Sequence, residues 1–234
     1  MPPEPTAPTS LEDEEPPRSR RLLFGLVALG VVSAVIAGVV IFSSGGSTAP
    51  PEDPEAQLRT SGESLVVGST DAPTKVVVYE DFGSRPSRDF ETASRDFLRV
   101  EAAQGKVLVE YRPFSLAGGY SRRALDAWAA VLEGGAPKQA LAFHDELFDR
   151  QPASSSAAPA ASDLDAWAID AGVGKALASD AVEREDPDFV ETARRSARAA
   201  GVETAPTVLV DGKPFGSGDG VELADQLQRK ILAD

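Results

Sequence analysis

Between Ala72 and Glu91 the chain passes from a β-rich apolar run, through a short turn, straight into a helical pattern. Lys75–Tyr79 is β-branched and aromatic, which predicts a buried strand. From Ser87 onward Phe90, Ala93, Phe97 and Val100 recur at helical spacing, and Gly105 predicts the stop. The turn Ser84-Arg85-Pro86-Ser87 therefore sits at a helix N-terminus. There the orphaned backbone N–H groups and the helix dipole act on any side chain that the turn presents.

The rest of the folded part can be read in the same way. Val107–Arg112 predicts a second strand, closed by Pro113. A helical block of roughly 80 residues follows. Leu125, Trp128, Ala129 and Leu132 form one apolar stripe, and Ala140, Leu141, Phe143, Leu147 and Phe148 form another after Pro137, a first-turn proline. Gln151–Ala161 is a low-complexity Ala/Ser/Pro loop. Ser162-Asp-Leu-Asp165 fits a capping box that opens a helix carrying Trp167. Asp186-Pro187 opens a further helix ending near Gly201. Thr207–Val210, the turn Asp211-Gly212 and Lys213–Phe215 form a hairpin. A last helix carries Leu223, Leu227 and Ile231 on one face.

Two segments of this series resemble the DsbA-type thioredoxin-like family. Ala72–Glu91 is similar to its "APVTVVEF-DF-CPxC" motif, and Gly201–Lys213 to its "GV-GTPT-V-NG" motif. The resemblance covers residues 65–234 and implies an α/β thioredoxin-like fold with a helical insertion. It also implies that Pro206 is a cis proline facing the turn, so that Arg85, Pro86, Ala205 and Pro206 border a groove where substrate peptide docks. Ser84 and Ser87 stand where the family has its nucleophilic and resolving cysteines. The chain contains no cysteine. A serine hydroxyl stays protonated at neutral pH and forms no disulfide, so Ser84 and Ser87 are a degenerate CxxC pair and no active catalytic residue is expected. Three explanations stand: a natural redox-dead member, an engineered double mutant, or recruitment of Ser84 as a new nucleophile. The last needs an adjacent base.

Towards the N-terminus the character changes. Leu22 to Phe42 is 21 residues without charge or proline, enough to span the ~30 Å hydrocarbon core of a bilayer. Arg18, Arg20 and Arg21 precede it, and no basic residue follows until Arg59. The expected organisation is a disordered cytoplasmic tail (1–21), one transmembrane helix (22–42), a flexible linker (43–63) and a DsbA-like domain (64–234) outside the cell (inner) membrane. Gly30, Ala34 and Gly38 share one stripe of the span, a small-xxx-small pattern on which a homodimer could form.

Composition excludes several functions. The net charge is −14, of which residues 1–21 carry −2, and no basic face marks a nucleic-acid binder. One histidine, His144, and no cysteine make a zinc site improbable, so neither metal nor cofactor is expected. A lone helical histidine is read as structural or surface. Glu80-Asp81 is read as a strand end loading negative charge near a helix start, Trp128 and Trp167 as core, and Gly216–Gly220 as a loop too near the C-terminus for a dinucleotide fold. The functional expectation is a membrane-anchored extracytoplasmic domain that no longer exchanges disulfides and binds a peptide or an envelope protein. The alternatives are a disulfide oxidoreductase or isomerase in a Cys-to-Ser form, and an interaction module with a vestigial groove.

Overall fold

The computed structural model describes residues 57–154 and 159–233. The tail, the transmembrane span with Gly30, Ala34 and Gly38, and most of the linker expected from the sequence lie outside these residues. Among the described residues no helix is long and apolar enough to cross a membrane.

The order of elements is β1 (Leu58–Ser61), β2 (Ser64–Val67), β3 (Thr74–Glu80), α1 (Arg85–Ala103), β4 (Val107–Pro113), α2 (Tyr120–Glu133), α3 (Pro137–Asp149), α4 (Ala161–Asp170), α5 (Lys175–Glu183), α6 (Pro187–Ala199), β5 (Thr207–Val210), β6 (Lys213–Phe215) and α7 (Gly220–Ala233). The strands form one sheet in the order β1-β2-β4-β3-β5-β6. Only β3 and β4 run parallel, as a β–α–β crossover through α1 requires; the other neighbours are antiparallel.

Alternation along β3 sorts its side chains between two cores. Val76 and Val78 join Val109, Tyr111, Val208, Phe90, Leu98 and Leu227 under α1 and α7. Tyr79 joins Phe82, Trp128, Phe143, Phe148 and Phe189 on the side of the helical block. The block from α2 to α6 is thus an insertion between β4 and β5 that supplies a core of its own. Asp211 and Gly212, at φ 50° and 76°, make the positive-φ turn that the β5–β6 hairpin needs.

Four local readings need correction. The sheet begins at Leu58, inside the stretch read as linker, because Leu58–Ser61 pairs antiparallel with Ser64–Val67 around Gly62. Four-residue strands leave too little alternation to be seen in a sequence. Val100 is 52% exposed, since the helix turns that position away from both cores. The helix with Trp167 starts at Ala161, where the Ala160 N–H donates to Asp163 Oδ2 at 3.1 Å; Ser162 does not cap it. Trp167 itself is half-buried with the Arg150 guanidinium over its ring, whereas Trp128 is fully buried and donates from Nε1 to Ala140 O at 2.9 Å.

Candidate functional site

Strand register brings the two sequence motifs together. Tyr79 pairs with Thr207 across the antiparallel β3–β5 ladder, so the C-terminal end of β3 and the residues before β5 share one end of the sheet. Glu80 pairs with Pro113, which brings the loop after β4 to the same end. The crevice outside these strand ends is where open α/β sheets place their sites.

Ser84 is the N-cap of α1, with extended backbone (φ −86°, ψ 120°), and its Oγ accepts from Ser87 N at 3.3 Å. Serine is among the preferred residues there because its hydroxyl satisfies an orphan amide of the first turn. Arg85 and Pro86 occupy the first two helical positions and are exposed. The Ala205–Pro206 bond is cis. Ser84 Oγ donates to Ala205 O at 3.0 Å, so the turn and the proline loop are in direct contact. Ser87 is fully buried, and its Oγ accepts from Asp81 N at 3.3 Å.

Among the described residues no base stands beside Ser84. Its hydroxyl proton is directed at a main-chain carbonyl, and the carboxylate of Asp81 is engaged by Gly83 N at 2.7 Å and Leu116 N at 2.8 Å. His144 is buried and bonded elsewhere. The arrangement therefore lacks the nucleophile–base contact that an activated serine needs.

Glu80 ends β3 as read from the sequence, but the pair does more than load charge near the helix start. Both are buried: Asp81 holds two loops by the amides just named, and Glu80 Oε1 meets His144 Nε2 at 2.5 Å. Around that pair lie Glu91, Tyr111, Asp145 and Arg99. His144 Nδ1 is 3.9 Å from Glu91 Oε1 and 3.5 Å from Asp145 Oδ1, and Arg99 pairs with Asp145 at 2.6 Å. Burial alone would lower the His144 pKa, but the charge of Glu80 and its hydrogen bonds raise it to about 10. Burial raises Glu91 to about 7, against the pull of His144. Burial would raise Asp145 too, yet His144 and Arg99 hold it well below the usual carboxylate range. The cluster ties β3 and α1 of the sheet module to α3 of the helical block.

Glu91, His144 and Asp145 are also the group that could converge on a metal ion among the described residues. Their carboxylates are already shared with guanidinium groups: Arg95 lies 3.3 Å from Glu91 and Arg99 lies 2.6 Å from Asp145. A cation entering there would have to displace two fixed positive charges, so the donor set fits an internal ion-pair network better than a metal centre.

One further residue holds the turn. Gln151 Nε2 donates to Phe82 O at 2.6 Å and to Ser84 O at 3.0 Å. It stands at the head of the low-complexity loop, and nothing in its neighbourhood of the sequence distinguishes it.

A cap serine at a helix start, touching a cis-proline loop across the end of a mixed sheet, is the geometry that the two motifs implied. A family model described as Thioredoxin matches residues 60–229. The chain belongs to the thioredoxin family. This family member is similar to solved DsbA-type structures. It superposes on BdbD from Bacillus subtilis (TM-score 0.63, 21% identity, 72% of this chain and 90% of that one). It is also similar to the thiol-disulfide oxidoreductase MdbA from Corynebacterium diphtheriae (0.63, 18%, 75% and 92%). DsbA from Mycobacterium tuberculosis in its oxidised form is a third (0.57, 25%, 73% and 93%). No curated protein matches the sequence. The DsbA-like thioredoxin fold with its helical insertion is thus shown, and the family's thiol pair is replaced by Ser84 and Ser87.

Proposed function

We propose that this protein is a membrane-anchored, extracytoplasmic thioredoxin-like domain that binds peptide or an envelope protein and does not exchange disulfides. The observation that supports it is the Ser84–Ala205 contact. The groove-forming geometry persists while its chemistry is absent. Disulfide exchange needs a thiolate to attack, a mixed disulfide and a second thiol to resolve it. Strand-like pairing with an extended peptide needs none of these, only open backbone groups. The amides of Glu203 and Ala205 meet no acceptor among the described residues, and Glu203 and Thr204 are exposed. Residues 22–42 anchor the domain, and the Arg18–Arg21 flank places it outside the cytoplasm. Gly30, Ala34 and Gly38 offer a face for pairing two spans.

The redox part of this reading is tested with full-length protein in insulin reduction and in oxidative refolding of a reduced client. The native protein should show no turnover above the uncatalysed rate. Ser84→Cys with Ser87→Cys should close a reversible internal disulfide, with the helix start holding the first thiol below its free pKa of ~8.5. Turnover by the all-serine protein would refute the reading.

A further inference from the structure

We infer that the cleft beside the proline loop reads an acidic side chain of the bound peptide. This inference deepens the peptide-binding reading and rests on it. The cleft, of about 510 Å³, has Phe114, Leu116 and Val202 as its apolar wall and Arg194, Arg198 and Glu203 as its charged groups. It adjoins the groove on two sides. Leu116 is tied to Asp81 through its amide, and Val202-Glu203 leads directly into Thr204, Ala205 and Pro206. A peptide strand pairing with the open amides at 203 and 205 would turn alternate side chains to the same side, towards this cleft.

The cleft brings together two arginines without a carboxylate partner; among the described residues Arg59, Arg85, Arg123, Arg195 and Arg229 also lack one, but they do not line it. Arg95, Arg99, Arg112, Arg122, Arg150 and Arg184 each sit within salt-bridge distance of a carboxylate. Arg194 instead donates to Ser115 O at 3.0 Å, and the Arg198 guanidinium has neither hydrogen bond nor ion pair among the described residues. The two lie four apart on α6 and line the same cleft. Glu203, the cleft's own acid, is exposed and pairs with neither. Two guanidiniums without carboxylate partners, in a chain of net charge −14, make a locally basic cleft. Guanidinium binds carboxylate bidentately, and Leu116, 49% exposed at the rim, suits an apolar neighbour. The occupant is an extended peptide with an acidic residue two positions from an apolar one, so that both face the cleft.

The test uses full-length protein in detergent and three fluorescein-labelled alanine octapeptides with central Leu-Ala-Glu, Leu-Ala-Gln or Leu-Ala-Lys, read by anisotropy. The Leu-Ala-Glu peptide should bind about fivefold more tightly than Leu-Ala-Gln. Arg198→Gln should abolish that preference and Arg198→Glu should turn it towards Leu-Ala-Lys, with circular dichroism unchanged because the Arg198 side chain is exposed. Equal binding of all three peptides, or a preference surviving the Arg194→Gln/Arg198→Gln double variant, overturns the cleft assignment and leaves the groove standing. Binding of none of them overturns both. Self-association that Arg198→Glu dissolves assigns the cleft to a second copy of the chain and also overturns the inference.

Discussion

His144→Ala should lower the unfolding free energy of the domain by about 3–5 kcal/mol, because it leaves the buried Glu80 carboxylate without its cation. Glu80 and Glu91 lie fully buried beside the imidazole, and Phe82 and Phe148 pack edge-on against it with ring centroids 5.5 and 5.0 Å away. At 0% exposure neither carboxylate is solvated in place. Urea unfolding of the full-length protein measures the loss, and a change under about 1 kcal/mol would contradict the internal ion-pair network. The network also sets a pH dependence. Both His144 and Glu91 have folded pKa values above their unfolded ones, about 10 against 6.5 and about 7 against 4.5. The folded state therefore holds those protons more tightly, and stability falls as pH rises. The Glu91 contribution is lost between pH 4.5 and about 7, and the His144 contribution between 6.5 and about 10. Asp145, lowered, acts in the opposite sense, its contribution being lost as pH falls below 3.8. Glu91→Gln should flatten the decline between pH 4.5 and 7 and leave the alkaline limb in place.

Gly220→Ala should cost about 3 kcal/mol, near the upper end for an overpacked site. Gly220 opens α7, and a Cβ there would press on the backbone of α1, at Pro86 O and 2.6 Å from Phe90 N. Backbone of a helix interior does not yield as a flexible side chain does, so α7 would have to lift from α1. Leu223 and Leu227 then lose burial in the core under both helices. Because Pro86 belongs to the serine turn, the same variant should weaken peptide binding as well as stability. Thermal unfolding and peptide anisotropy on the same preparation would show whether the two fall together.

The sequence carried the strand–turn–helix at Ala72–Glu91 and the proline loop at Gly201–Lys213 because both are local. A β-branched run, a cap serine and a first-turn proline each act within a few residues. The face-to-face placement of Ser84 and Ala205 followed from the family resemblance, and the β3–β5 register supplies its physical cause. The buried network escaped because its members lie far apart in the chain. Glu80 meets His144 across 64 positions and Arg99 meets Asp145 across 46. In sequence Glu80-Asp81 is an ordinary acidic pair and His144 an ordinary helical histidine; only packing α3 against β3 and α1 gives them one environment. Gln151 escaped for the same reason, and β1 because four residues are too few to show a period.

If the groove binds without thiol chemistry, it should bind a client that has no free thiols. Insulin B chain whose cysteines are carbamidomethylated, titrated against the full-length protein, is such a client. Saturable binding is expected that the blocked thiols do not impair and that Ser84→Trp, which fills the contact between the turn and Ala205, abolishes while the fold is kept. Binding that requires free client thiols, binding indifferent to Ser84→Trp, or no binding at all would contradict that expectation.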